Sequence, residues 1–107
     1  MATLIPVDGP PQFITPKNGR SFTSEELHTL VGGYIEIVRT RYALTGVPDD
    51  DLLMVINEDG KGLQLPVNRF ASEMAMLGYL DVQQGDVING NAVVCTRDEL
   101  GEPDDES

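Results

Sequence analysis

The sequence has few of the side chains on which enzymes and metal sites depend. Among its 107 residues there is one cysteine, Cys95, and one histidine, His28. A single cysteine forms neither an intramolecular disulfide nor a cysteine-rich zinc site, so we expect a protein of a reducing cytoplasm. No apolar run approaches the roughly 20 residues that cross a bilayer, and residues 1–8 have neither the basic nor the apolar region of a signal peptide. We therefore expect no membrane segment, metal or cofactor.

Basic residues are also scarce, because seven Lys and Arg stand against 18 Asp and Glu, for a formal net charge of -11. Six of the acids lie in residues 98–107, which contain no base. Such a segment cannot bury enough apolar surface to fold, so we expect one domain over residues 1–97 and a disordered acidic tail over 98–107. The tail is either a solubilising terminus or an interaction arm that mimics nucleic-acid phosphates. Direct nucleic-acid binding is not expected, because it needs clustered bases.

A helix is the clearest local signal in the chain. Thr23 and Glu26 have the spacing of a capping box, which predicts a helix that begins at Ser24 and ends at the glycine pair 32–33. Its apolar face is formed by Leu27, Leu30 and Val31. A second helix is predicted after the cap Asn68 and before Gly78, because apolar side chains recur there at helical spacing. They are Phe70, Met74 and Leu77.

β-Branched and aromatic residues predict short strands between turn-forming clusters. The predicted strands are residues 3–7, 13–15, 34–39, 52–56, 63–65, 87–88 and 92–95. Strands 34–39 and 52–56 are expected in the centre of the sheet, the turn 57–62 is expected to lead into a hairpin, and 40–51 is expected to be an exposed loop. The result is an α+β fold with a single small, mainly antiparallel sheet packed with two helices, in which one parallel pair stays open.

No catalytic set can be assembled from these residues, so we do not expect an enzyme. His28 lies beside the apolar face of the first helix without acid, base or metal partners at suitable spacing. Cys95 lies in the apolar run 92–95, where a thiol behaves as a small hydrophobe. The three consecutive aspartates at 49–51 do not converge on a metal, and the turn 57–62 lacks the first carboxylate of a calcium loop.

Polar and aromatic residues at element ends are the candidates for a ligand site. The candidate residues are Tyr34, Glu36, Asn57, Asn68 and Arg69. If Tyr34 and Glu36 point toward the second helix, all five line one pocket, and the helix N-terminus attracts an anion. In the structural alternative, Asn57 and Asn68 form a turn and a cap, Glu36 pairs with Arg69, and Tyr34 is a half-buried strand residue.

Four sequence motifs, in this order and spacing, resemble a known family. They are VGGYIE at 31–36, VINEDGK at 55–61, LPVN at 65–68 and GDV at 85–87. Together they resemble a family of small proteins from bacteria, phages and mobile elements that is catalogued only as a domain of unknown function. The resemblance spans residues 22–95 and implies a phage or plasmid accessory protein, without implying any reaction.

The expected function is therefore that of a noncatalytic binding module. It would capture a host protein or a nucleotide-like small molecule in the host cytoplasm and so manipulate host defence. Dimerisation through an exposed sheet edge is a further hypothesis. The alternative is an acidic nucleic-acid mimic that uses residues 49–51 and the tail to inhibit a host nucleic-acid enzyme.

Overall fold

One sheet of five strands forms the centre of the protein. The computed structural model describes residues 2–39, 52–76 and 87–100. The strands are β1 (Ala2–Ile5), β2 (Gln12–Ile14), β3 (Ile35–Arg39), β4 (Leu52–Asn57) and β5 (Ala92–Thr96), and the helices are α1 (Ser24–Val31), α2 (Arg69–Met76) and α3 (Arg97–Leu100). The strand order is β2-β1-β5-β4-β3, and every neighbouring pair is antiparallel. The predicted α+β class with its mainly antiparallel sheet is confirmed.

The sheet buries both of its faces, because alternate residues of the central strands point to opposite sides. On the α1 face, Val55 of β4 lies opposite Val93 of β5 and packs with Leu27 and Val31 of α1. The other face carries α2. Its cluster consists of Ile5, Val38, Met54, Ile56, Ala71, Met74, Ile88, Ala92 and Val94. The two helices therefore cover two separate clusters, one on each side of the sheet.

α1 begins and ends as its sequence predicts. The Thr23 side chain accepts a hydrogen bond from the backbone N–H of Glu26, and the Glu26 side chain accepts one from that of Thr23, which completes the capping box. Gly32 ends the helix with φ 84°, a left-handed conformation that favours glycine. Leu27 and Val31 are buried, and Leu30 is partly buried against the same cluster.

β3 lies at an edge of the sheet, so the prediction that it is central is wrong, whereas β4 is central. The side chains of β3 fit an edge position, because Glu36, Ile37 and Arg39 are exposed and only Val38 is buried. β-Branched residues are typical of any half-buried strand and do not by themselves indicate a central position.

Residues 63–65 do not form the predicted return strand of a hairpin, and residues 87–88 do not form a strand either. Residues 58–64 form consecutive turns in which the N–H groups are used locally. Leu63 N donates to Asp59 O at 2.9 Å, and Leu65 N donates to Gly60 O at 2.9 Å. These donors are not available for a strand ladder, and only Val67 forms an isolated antiparallel bridge, with Asn89.

The buried face of α2 differs from the predicted one. Asn68 is buried and its side-chain oxygen accepts from Ala71 N at 3.1 Å, which fixes the rotation of the helix about its axis. Ala71 and Met74 consequently face the sheet, whereas Phe70 is 53% exposed. Phe70 was predicted on the buried side, and that prediction is wrong. Leu77 and Gly78 lie outside the described residues.

The predicted tail begins with a folded segment. The sequence places the domain boundary at residue 98, but Arg97–Leu100 form the single turn α3. Thr96 and Glu99 make a second capping box, since Glu99 N donates to Thr96 Oγ1 at 3.2 Å and Thr96 N donates to Glu99 Oε1 at 2.9 Å. Residues 101–107 and the loop 40–51 lie outside the described residues.

Candidate functional site

An open groove runs between β2 and α1. Its volume is about 460 Å³, and its lining is mainly apolar. Ile14 of β2, Phe22 before α1 and Leu30 of α1 supply the apolar side chains. Polar residues of the preceding loop and of α1 form its rim, among them Lys17 and Glu25. We call this surface the α1 groove.

Hydrogen bonds hold the rim of the α1 groove in place. Glu26 Oε2 accepts from Lys17 N at 3.1 Å, and Asn18 Oδ1 accepts from Arg20 N at 2.8 Å. Backbone hydrogen bonds from Thr23 and then from Lys17 lower the pKa of the Glu26 carboxyl. The carboxylate, which is the form that accepts these bonds, is therefore favoured at neutral pH.

The back of the α1 groove is joined to α3. Phe22 N donates to Glu99 O at 2.6 Å, and Leu100 packs against the same apolar cluster as Phe22. Partial burial opposes ionisation of Glu99, but hydrogen bonds to its carboxylate, first among them that from the Thr96 backbone, outweigh this effect and lower its pKa. The end of the described chain therefore supports a residue that lines the groove.

β2 is the edge strand beside the α1 groove. Only three residues long, it pairs with β1, and no described strand pairs with its other side. Ile14 faces the groove, whereas Phe13 lies on the opposite side of the strand and is 80% exposed. Prolines at 10, 11 and 16 flank the strand and limit its free edge. The α1 groove is therefore a better candidate for a ligand site than the free edge of β2.

Two of the five predicted site residues share a second cavity. Glu36 and Asn57 line a space of about 120 Å³, which we call the polar cavity. Glu58, Asp59 and Lys61 also line it, and Lys61 Nζ donates to Val87 O at 2.7 Å. Asn57 is 4% exposed, and its side chain donates to Val31 O at 3.1 Å and accepts from Asp59 N at 2.8 Å. The hydrogen bonds of the Asn57 amide thus connect the end of α1 with the turn that follows β4.

The other three predicted site residues are not among those that line the polar cavity. Tyr34 is 74% exposed, and its ring meets that of His28 edge to face, with the ring centres 5.4 Å apart. Asn68 is fully buried and donates to Ile5 O at 2.8 Å and to Gly90 O at 3.0 Å. Arg69 is exposed at the start of α2. The structure thus brings together only Glu36 and Asn57, and the ligand-binding role of the five residues stays a prediction.

The cysteine is buried, and the histidine packs against an aromatic ring. Cys95 is fully buried between the sheet and α1, and burial raises its pKa to about 12. Its reactive thiolate is therefore scarce at neutral pH. His28 contacts Tyr34, as described above, and its carbonyl accepts from Gly32 N at 2.8 Å at the end of α1. Within residues 2–39, 52–76 and 87–100, no group of three or more His, Cys, Asp or Glu side chains is placed to hold a metal.

Sequence reasoning missed the α1 groove and two structural asparagines. Asn91 donates to Leu30 O at 3.2 Å and accepts from Val7 N at 3.0 Å, and Asn89 donates to Leu65 O at 2.9 Å. In the sequence these asparagines look like ordinary turn residues. Two features of the sequence could have indicated the groove. Ile14 lies in a short predicted strand with prolines on both sides, and Phe22, the apolar residue before the helix cap Thr23, follows a few residues later.

The geometry defines a class of protein, a small α+β domain whose open antiparallel sheet lies between two helices and carries an apolar groove at one edge. The chain belongs to the family described as Domain of unknown function (DUF3846), whose model matches residues 2–106. This membership confirms the family resemblance found in the sequence. No curated protein and no solved structure matches the chain. None of the described helices is long and apolar enough to cross a membrane.

Proposed function

We propose that this protein is a noncatalytic binding module that captures a protein partner in the α1 groove. The observation that carries the proposal is the groove itself, whose volume of about 460 Å³ falls within the range of pockets that hold ligands. Protein partners are commonly anchored by a large apolar side chain in such a pocket, surrounded by a polar rim. Hydrogen bonds already made within the rim lower the entropy that binding costs.

The positions of the reactive groups support a noncatalytic role. A general base or nucleophile must face the substrate and be ionised correctly. Cys95 is buried with a raised pKa, and neither Cys95 nor His28 is among the residues that line the α1 groove. The groove offers a ligand apolar contacts and helix-cap residues.

A protein partner is favoured over a nucleotide-like ligand. The polar cavity contains Glu36 and Asn57, but about 120 Å³ is below the usual size of a small-molecule pocket. Carboxylates of Glu36, Glu58 and Asp59 around it repel phosphate groups, and Arg69 is not among its lining residues. Nucleic-acid mimicry, the alternative, depends on residues 49–51 and 98–107, of which the structure describes only 98–100.

The partner that we propose is a protein of the host cell. The family resemblance supports an origin in phages or mobile elements, and an accessory protein of that origin acts on its host. The binding module would then work in the host cytoplasm by occupying a host protein, with interference in host defence as one outcome. The family description itself names no activity.

Two matched variants test the use of the α1 groove. Glu25→Trp places a large ring at the groove, and Glu73→Trp makes the same change at an exposed position of α2 that does not line it. Host protein captured from lysate by the parent chain is identified by mass spectrometry, and its recovery is compared among the three proteins. We expect at least a roughly tenfold loss with Glu25→Trp alone, as for an interface hot spot. Equal recovery with both variants, or no saturable partner of the parent chain, would overturn the proposal.

A further inference from the structure

Asparagine is followed by glycine at two places in the sequence, Asn18-Gly19 and Asn89-Gly90. The side-chain amide of an asparagine is open to attack by the backbone nitrogen of the next residue. Glycine hinders this attack least, because it has no Cβ and its backbone is free to move. The other three asparagines are followed by larger residues. The two Asn-Gly pairs lie in different surroundings, and these surroundings decide which pair reacts.

Asn18 and Gly19 are exposed in a turn, and Asn18 lines the α1 groove. Gly19 N donates to Pro16 O at 3.0 Å. A single backbone hydrogen bond in an exposed turn opens readily, because water replaces the lost partner. The space around Gly19 is also open, since a Cβ at this position would have no other atom within 4 Å. The Gly19 nitrogen is therefore accessible as a nucleophile.

Two backbone N–H groups are directed at the side-chain oxygen of Asn18. Arg20 N donates to Asn18 Oδ1 at 2.8 Å, and Ser21 N donates to the same atom at 2.9 Å. When Gly19 N attacks Asn18 Cγ, negative charge develops on this oxygen. Donors at about 2.7–3.1 Å from such an oxygen stabilise the transition state. The turn thus supplies both an accessible nucleophile and an oxyanion site.

The second pair, Asn89-Gly90, lies in packed structure. Gly90 is buried and its N–H donates to Pro66 O at 2.8 Å, while Asn89 Nδ2 donates to Leu65 O at 2.9 Å. Asn89 Oδ1 is buried, and no group in the described part of the chain donates to it. Negative charge on this oxygen would develop without a hydrogen-bond donor, which is unfavourable away from water.

We propose that Asn18 is a site of spontaneous deamidation and that the fold protects Asn89. Gly19 N gives up its proton and bonds to Asn18 Cγ, the Cγ–Nδ2 bond breaks, and Nδ2 leaves as ammonia. One water molecule then opens the succinimide ring at either of its two carbonyls. The products are aspartate and isoaspartate at position 18, and no oxidant or reductant takes part.

This modification changes the rim of the α1 groove. Both products add one carboxylate to a rim that contains Lys17 and Glu25. In isoaspartate the backbone runs through the former side-chain carbonyl, so the turn is longer by one carbon and its hydrogen bonds from Arg20 N and Ser21 N are lost. The chemistry depends only on residues 16–21 and is independent of any partner in the groove.

Ageing of the folded chain in mildly alkaline buffer, followed by mass spectrometry of its peptides, measures the exchange of amide for carboxylate at each asparagine. We expect Asn18 to deamidate at least about tenfold faster than Asn89, because only Asn18 has donors at its side-chain oxygen and an exposed backbone. In concentrated urea, where tertiary packing is lost, the two rates should agree within about threefold. Equal rates in the folded chain, or an equally large difference in urea, would overturn the proposal.

Asn18→Gln is the matched variant, because a glutamine would have to close a larger, less favourable ring. Isoaspartate methyltransferase should label the aged parent chain strongly and the aged variant weakly, and equal labelling of both would contradict the proposal.

Hydrogen exchange reports the effect on the turn. The Arg20 and Ser21 N–H groups should exchange faster in the aged parent chain, whereas Gly32 N–H, which donates to His28 O at the far end of α1, should not change. Unchanged exchange at both turn amides would show that the rim keeps its hydrogen bonds and would overturn the proposed change of the groove.

Discussion

α1 and α2 have the same length and lie on opposite faces of one sheet, but the N-terminal cap of α2 is buried and that of α1 is exposed. α2 is fixed at its N-terminal end, where the cap Asn68 is fully buried and hydrogen bonded to two other chain segments. α1 is fixed at its C-terminal end, where Asn57 donates to Val31 O and Asn91 donates to Leu30 O. Its N-terminal cap, Thr23, is exposed.

This difference explains where a groove is available. A buried polar cap requires closely packed partners for each of its hydrogen bonds, so the chain closes tightly around it. An exposed capping box satisfies its own donors and needs no cover. The open α1 groove includes the exposed cap Thr23 and extends along α1 to Leu30, whereas the buried cap of α2 lies within packed structure.

The largest effect is expected for Asn68→Ala, because it removes the cap of α2 and leaves the carbonyls of Ile5 and Gly90 without this donor. We expect a loss of about 3–5 kcal/mol in the free energy of unfolding, since several buried groups become unsatisfied together. Urea denaturation measures it. Asn18→Ala is the matched control, because the Asn18 side chain also makes hydrogen bonds to the backbone, accepting from Arg20 N and Ser21 N, but is exposed. Similar losses for both asparagines would remove the contrast between the helices.

A smaller effect is expected for Asn57→Ala, which removes one tether of α1 and leaves that of Asn91 in place. The expected loss is about 1–3 kcal/mol, the usual range for one buried group left without its partner. Hydrogen exchange should quicken at Gly32 N–H, which donates to His28 O at the end of α1. Ser72 N–H in α2 is the reference, because it donates to Asn68 O on the other face. Equal acceleration at both amides would mean that Asn57 supports the whole sheet rather than α1.

The exposed cap should matter less than either buried asparagine. Thr23→Ala should cost about 1 kcal/mol in the free energy of unfolding, a typical value for loss of an N-cap hydroxyl.

The same contact predicts a pH dependence. Hydrogen bonds from Thr23 and Lys17 lower the pKa of Glu26 in the folded state, so its contribution to stability is present above the unfolded value of about 4.3 and lost as the pH falls through the folded pKa.

Urea titrations of the parent chain and Glu26→Gln across this range test the pH dependence. The difference in unfolding free energy between the two proteins should be constant near neutral pH and shrink below about pH 4.3. A difference that is unchanged down to about pH 2.5, well below the usual carboxyl range, would show that the carboxylate form of Glu26 has no special role in the cap.

The sequence predicted elements that are encoded locally and missed relations between distant segments. The capping box of Thr23 and Glu26 and the cap Asn68 were recognised because each involves residues three positions apart. The edge position of β3 and the α1 groove depend on which strands become neighbours, and no local pattern specifies that order. The predicted pocket around Glu36 does not include Asn68 for the same reason, because the Asn68 amide donates to Ile5 O, 63 positions away in the sequence.

The smallest effect is expected at Phe70, where helical periodicity and the fold disagree. The spacing to Met74 predicts that both side chains are buried, but Phe70 is 53% exposed and Met74 is 5% exposed. Phe70→Ser should therefore cost no more than about 1 kcal/mol in the free energy of unfolding, because only about half of its surface is buried, whereas Met74→Ala should cost about 2–4 kcal/mol through lost burial and the cavity it leaves. If Phe70→Ser proves as costly as Met74→Ala, α2 is rotated by about one residue. In that case Asn68 could not keep its buried hydrogen bonds, and the contrast between the two helix caps would be lost with them.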